Sequence, residues 1–331
     1  MQQLNNVTIK LKIAQVIIQM DSRFPIELIE ENKKPLIGEK EKPIIGEKQQ
    51  LIIDRLNSFF YNGKAKPDII IQVDIVDKFP KINKGKSIFT TFHFQDGREN
   101  WRLFKKRNGY VYTCPLKGKE HLMLVNKTFD RVKAYLLPKE EAGYVWAAAD
   151  IIYDFLQVLL INYFAQRNEG IFTHAIGIKD LDKKGVVFAG ESGAGKSTTA
   201  RLWHKHSKAT VLNDDRIIVR KFKSKYIIYG SPWHGEFSDY LISKIDSAPL
   251  KKLFFIYHSS KNISRKISGK EAFSFLYSAL FPTFWDKDSL GNIASFCQDL
   301  VKNVPCYRLG FVNDKKVIGF VKKIKDDLKK I

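Results

Sequence analysis

The eight residues Gly190-Glu191-Ser192-Gly193-Ala194-Gly195-Lys196-Ser197 constrain this chain more than any other feature. They follow a short apolar run, Val186–Ala189, and open a helical pattern, Thr198–His206. That is the strand–loop–helix setting in which G-x-x-x-x-G-K-S becomes a phosphate cradle. Glycines let the backbone fold into a concave loop whose N–H groups point inward, and the helix beginning there adds its positive end. Lys196 reaches the outer phosphates of a nucleotide, and the Ser197 hydroxyl can ligate Mg²⁺. Nucleotide contact is therefore expected from Gly190, Ser192, Gly193, Ala194, Gly195, Lys196, Ser197 and Thr198.

With 331 residues, the chain is long enough for two domains, each with its own core. A hydrophobic content of 44% and an aromatic content of 13% exclude a disordered chain. Cys114, Cys297 and Cys306 show no paired spacing, so neither a disulfide framework nor a zinc site is expected, and a reducing cytoplasm fits. The first residues, Met1–Asn6, lack a charged segment followed by an apolar one, so no secretory signal is expected. The longest apolar run, Val145–Phe164, contains Asp150, Asp154, Gln157 and Asn162, which are costly at bilayer depth. It reads as a buried helix, and no membrane partner is expected.

The net charge is +21, with lysines spread over the whole chain. The densest piece, Val321–Lys330, reads as an amphipathic helix with a solvated basic face. An acidic partner would also suit this charge, whether protein, nucleic acid or simply the nucleotide. No zinc-finger or RNP-type pattern supports nucleic acid. Homo-oligomerisation is left open.

Many short strand-like runs with polar turns occupy the first part: Val7–Gln19, Asp68–Val76, Ser87–Gln95, Trp101–Phe104, Tyr110–Cys114, His121–Val125 and Arg131–Leu137. They predict a mostly antiparallel sheet. A tandem near-repeat, Lys34–Lys40 and Lys42–Lys48, carries a Pro and a Gly in each copy. It reads as a duplicated loop or β-ribbon. A break near Pro138–Gly143 precedes a helix at Tyr144–Gln166, and strands then alternate with helices. The expectation is a β-rich domain over residues 1–140 and an α/β nucleotide-binding domain with a mixed sheet over 141–331.

Turn geometry gathers a site around the glycine loop. Ile171–Ile178 and Gly185–Ala189 form a hairpin, which sets His174 opposite about Ala189; a slip of one residue would turn its side chain to the other face. The strand Thr210–Asn213 ends in Asp214 and Asp215. Asp214 follows Lys196 by 18 positions. One helix of about 15 Å and a short return fill that interval, which predicts the acidic strand directly beside the loop strand. Two carboxylates there can divide labour, one at the metal and one taking a proton from an attacking hydroxyl. A second hairpin, Arg216–Phe222 with Tyr226–Gly230, brings Ser231–Trp233 back near Asp215. Arg216, Trp233, His234 and Glu236 then become candidates for the substrate side. His204 and His206 are read as surface residues, and His93, His121 and His258 carry no signal.

Together, Thr173-His174-Ala175, Gly190–Ser197 and Asn213-Asp214-Asp215-Arg216 resemble the HPr kinase/phosphorylase group and its HPr-kinase-like relatives, within the ATP-dependent phosphoenolpyruvate carboxykinase superfamily. The resemblance spans about residues 165–236 in specific motifs. It implies a P-loop, carboxykinase-like fold for the C-terminal domain. It also implies ATP or another phosphoryl donor, Mg²⁺, and transfer to a serine hydroxyl. Carried over, it nominates Asp215 as base assisted by His174, and Asp214 with Ser197 at the metal, although the two acids can exchange roles. The Glu-Ile-Arg-Gly-Leu-Gly signature of true HPr kinases is absent. In its place stands Ser231-Pro232-Trp233-His234-Gly235-Glu236, which argues against HPr itself as acceptor. The expected activity is a kinase acting on a Ser/Thr-type hydroxyl of a protein, peptide or small molecule. The alternative is a nucleotide-switched binding module with slow hydrolysis, and a nucleic-acid-binding ATPase ranks third.

Overall fold

A computed structural model describes residues 7–27, 56–92, 99–114, 121–138, 146–233, 235, 246–283 and 285–324. The 34–48 repeat and the end of the basic tail lie outside the described residues, as does the expected boundary near residue 140. The chain is a mixed α/β protein with two eight-stranded mixed sheets. It divides into two compact units, one within residues 1–53 and 59–163, the other within 54–58 and 164–331.

The first unit contains β1 (Val7–Ile13), β2 (Val16–Ser22), β3 (Ile26–Glu27), β4 (Ile69–Ile75), β5 (Lys86–Phe92), β6 (Glu99–Lys106), β7 (Gly109–Cys114), β8 (His121–Asn126), β9 (Arg131–Leu136) and β10 (Trp146–Ala147). Its large sheet runs β1-β2-β4-β9-β8-β7-β6-β5. The run from β9 to β5 is antiparallel, as short strands joined by polar turns dictate. The β2–β4 and β4–β9 pairings are parallel and join segments far apart in sequence. Residues 7–19, read above as one strand, fold instead as the hairpin β1–β2. The turn sits at Ala14 and Gln15, with φ of 48° and 68°. Two-residue hairpins need positive φ at such positions, and neither residue carries the usual Asn-Gly signal.

The helix Ala148–Arg167 is long and apolar enough to cross a membrane, and 67% of its most apolar window is buried inside the protein. One π-helical turn, Ile152–Leu156, interrupts it.

The second unit contains β11 (Gly170–Lys179), β12 (Gly185–Ala189), β13 (Thr210–Asn213), β14 (Arg216–Phe222), β15 (Lys225–Tyr229), β16 (Ser247–His258), β17 (Ile263–Ile267) and β18 (Cys306–Phe311). The order is β12-β11-β14-β15-β16-β18-β17, with β13 on β11 and a further β12–β16 pairing. The strands β12, β11, β14, β15 and β16 therefore close a circuit. Long strands make this possible: β11 pairs with β14 through residues 170–174 and with β12 through 175–179. Ile217 and Ile228 fill the interior so tightly that a Cβ at Gly177 would lie 2.4 Å from Ile217 Cδ1.

Two apolar layers cover the sheet. One holds Phe188, Phe254 and Tyr307 together with Ala200 and Trp203 of the Lys196–His206 helix and Val317 and Val321 of Lys316–Lys323. The rings of Phe188, Phe254 and Tyr307 stack in sequence at 5.2 and 5.3 Å. The other layer packs Phe255 and Leu253 against the helices Gly269–Ser278 and Lys287–Asn303. Each fully buried aromatic ring contributes about 2–3 kcal/mol, so this double layer holds the strand ends that carry the site in place.

Candidate active site at the glycine loop

The loop after β12 owes its shape to two glycines with positive φ, Gly193 at 78° and Gly195 at 96°. At Gly195 the constraint is also steric, because a Cβ there would meet Phe311 Cζ at 2.7 Å. Gly195 sits at the N-cap of the Lys196–His206 helix, which has no side-chain cap and no acid in its first turn. Its first N–H groups are thus left for an anion, and the last turn carries His204, Lys205 and His206 in the sense the helix dipole favours. Lys196 is buried, and its Nζ donates to the carbonyls of Gly190 and Glu191 at 2.8 and 2.9 Å. Burial holds its pKa below the ordinary lysine value. Ser197 is exposed and Thr198 half-buried at the same helix start.

The hairpin β11–β12 pairs Ala175 with Ala189, so His174 stands one residue beyond the expected register, level with the beginning of the loop. The acidic strand is not beside β12. β13 pairs with β11, and β11 lies between β13 and the loop strand. The Lys196–His206 helix and its return span one intervening strand because β11 pairs along both its edges. β14 continues on β11 with His174 opposite Arg216, and this register brings the histidine and the acids together.

At the junction of β13 and β14, His174 Nε2 lies 2.9 Å from Asp215 Oδ1, and Arg216 Nη1 bonds Oδ2. Burial, then the charges of Lys196 and Arg216, pushes the His174 pKa down to about 4, with Asp214 acting in the opposite sense. The imidazole is therefore neutral near pH 7, and its Nε2–H donates to the carboxylate. The ring of His174 stacks on Phe281 at 6.1 Å and 12°, and the Arg216 guanidinium lies 5.2 Å from the same ring. Among the described residues, Arg216 Nε is buried without an acceptor. Asp214 is buried and accepts the Gly235 N–H at 3.1 Å.

Asn213, not singled out in the sequence, organises the junction. Its Oδ1 accepts the N–H groups of Asp215 and Arg216, both at 2.8 Å. Its Nδ2 donates to the carbonyls of Ser231 and Trp233 at 3.0 and 2.6 Å. An Asn closing a strand ahead of two acids carries the Asx-turn signal that could have marked it. Trp233 is buried, with its ring 5.8 Å from Phe172. His234 and Glu236 lie outside the described residues. His258, which carries no sequence signal, belongs to the loop: its Nε2 is 2.6 Å from the Gly193 carbonyl, and its ring stacks on Phe311.

The residues present fit a nucleotide with Mg²⁺. An uncapped helix start, two αL glycines and a buried lysine held on loop carbonyls are the groups that phosphate binding calls for. The described residues contain no cluster of three or more His, Cys, Asp or Glu suited to a metal. Mg²⁺ with nucleotide needs none, since one carboxylate, a hydroxyl, phosphates and water complete its octahedron.

No protein-family model matches the chain, and no curated protein matches it. Among solved structures it shows weak similarity to the Hpr(Ser) kinase/phosphatase from Coxiella burnetii. The identity is 12% and the TM-score 0.28, over 46% of this chain and 95% of that one.

Proposed function

We propose that the 164–331 unit is the P-loop catalytic domain of an HPr-kinase-like phosphotransferase. It moves a phosphoryl group from ATP, or another phosphorylated donor, to a Ser/Thr-type hydroxyl of a protein, peptide or small molecule. The observation carrying this reading is the carboxylate of Asp215, held by Arg216 and by His174 of the strand that pairs with the glycine-loop strand. A bare nucleotide binder has no need of a carboxylate oriented from two sides next to the strand that leads into its phosphate loop.

In this reading the loop N–H groups and Lys196 hold the donor phosphates and offset their charge. Ser197 and Asp214 would hold Mg²⁺, which neutralises charge on the transferred group. Asp215 accepts the proton of the acceptor hydroxyl. His174, neutral and donating to Oδ1, fixes the rotamer of that carboxylate, and Arg216 holds the second oxygen. Both contacts position the base without taking the proton themselves. The three buried free thiols, Cys114, Cys297 and Cys306, support a cytoplasmic setting.

Incubation with γ-labelled ATP and a cell lysate tests the reading. A kinase labels a discrete acceptor, and labelling disappears with Asp215→Asn. Release of labelled phosphate with nothing labelled would replace the kinase by a nucleotide switch.

A further inference from the structure

A cavity of about 410 Å³ opens against the glycine loop, with Glu191–Ala194 on one wall and Tyr257, Phe275 and Arg308 on another. Its size suits a small molecule or one extended side chain with its flanks. Ala279 also lines it, and the Ala279 carbonyl accepts the backbone N–H of His174 at 2.7 Å. The segment that lines the cavity at Ala279 thus runs on beside His174, where Phe281 stacks on its ring.

Arg308 is the notable group here. Its guanidinium carbon lies 4.6 Å from the ring centre of Tyr257 and 4.2 Å from that of Phe275. Two aromatic neighbours hold the planar group rigid and leave its edge, with five N–H donors, for a ligand. Among the described residues the Arg308 guanidinium has neither a hydrogen bond nor an ion pair. The carboxylate that senses it, Glu271, is already engaged by Arg265 at 3.0 and 2.5 Å. Two guanidinium groups therefore share one acid, and Glu271 is bonded to Arg265 and not to Arg308. Glu191 contributes the one carboxylate at the rim, on an exposed loop residue. Both rings already flank a guanidinium, so the free recognition element is the donor edge, which matches a carboxylate or phosphate better than a stacked base.

We infer that this cavity binds the acceptor, and that the acceptor carries an anionic group, carboxylate or phosphate, near its hydroxyl, which Arg308 grips. This rests on the kinase reading for the word acceptor, while the anion site itself rests on Arg308 and the cavity. The anion can belong to a free hydroxy acid or sugar phosphate, or to an acidic residue beside a serine.

Calorimetric titration of the full chain, loaded with Mg²⁺ and a non-hydrolysable ATP analogue, tests it. One arm uses glycerate and glycerol 3-phosphate against neutral glycerol. The other uses acetyl-Glu-Ser-Glu-amide against acetyl-Gln-Ser-Gln-amide. The anionic member of at least one set should bind and its neutral counterpart should not, and the responding arm identifies the source. Arg308→Gln should weaken that binding about tenfold or more, with Arg308→Lys in between and analogue affinity within about twofold of wild type. If Arg308→Gln does not fold, judged by circular dichroism, Arg308→Lys carries the comparison. Equal binding of charged and neutral probes, wild-type affinity in both variants, or no anion binding below about 10 mM overturns the proposal. Transfer at wild-type rates in Arg308→Gln also overturns it and leaves the kinase standing. Arg308-dependent anion binding without any phosphoryl transfer removes the kinase and keeps the site.

Discussion

His174 Nε2 stands 2.9 Å from Asp215 Oδ1, while Arg216 holds the other oxygen of the same carboxylate. A carboxylate fixed from two sides presents its remaining lone pairs in one direction, which a general base requires. Asp215→Asn keeps the shape and removes the basicity. Phosphoryl transfer should fall by about 10²–10⁴-fold with nucleotide affinity unchanged, as kinetics and calorimetry on the same sample would show. Undiminished transfer in this variant would refute the assignment. Lys196→Ala should instead lower affinity and rate together.

The depressed pKa of His174 makes stability depend on pH in a defined sense. The imidazole titrates near 6.5 when unfolded and near 4 when folded, so protonation favours the unfolded chain. The contribution is complete above about pH 6.5 and is lost as pH falls toward about 4. The melting temperature of the wild type should therefore drop more steeply between pH 6.5 and 4 than that of His174→Gln. An NMR titration placing the imidazole midpoint above 6.5 would contradict this.

Asn213 is wholly buried and bridges both ends of the acidic turn. Asn213→Ala strands two carbonyls and two N–H groups, at a cost of about 2–4 kcal/mol read from urea unfolding. Asn213→Asp keeps the acceptor and loses the donors, so it should leave the Ser231 and Trp233 carbonyls facing a charge and rescue nothing.

At Gly195 a methyl group meets both a forbidden φ and the Phe311 ring. Gly195→Ala should abolish nucleotide binding in fluorescence titration, and trimming Phe311 to Leu should not restore it, because the backbone restriction remains. His258→Ala removes the contact with the Gly193 carbonyl and the stacking on Phe311. A loss of about two- to tenfold in nucleotide affinity is expected, with kcat unaltered.

The glycine loop and the acidic pair were legible because local spacing encodes them: glycines where φ must be positive, acids where a strand ends. His174 was legible as a partner but placed one residue short, since a hairpin with a five-residue turn does not fix its own register. The place of the acidic strand was misread because β11 serves partners on both edges, a property of the closed circuit and not of any local segment. His258 and Arg308 were invisible for a related reason. They reach the loop only through the parallel pairings β12–β16 and β16–β18, which join segments far apart in the chain. Ala14 and Gln15 hid a turn because ordinary residues there bear a cost that tertiary contacts offset.

Lys196 clasps the carbonyls of Gly190 and Glu191, so the mouth of the cradle is latched by its own cation. An incoming solute must outbid two good acceptors before that ammonium swings away. Chloride or a lone monoanion offers too little, whereas a polyphosphate chain supplies several oxygens at once. In the proposed kinase, losing these two contacts is a cost that only a ligand with several oxygens within reach of the ammonium offsets.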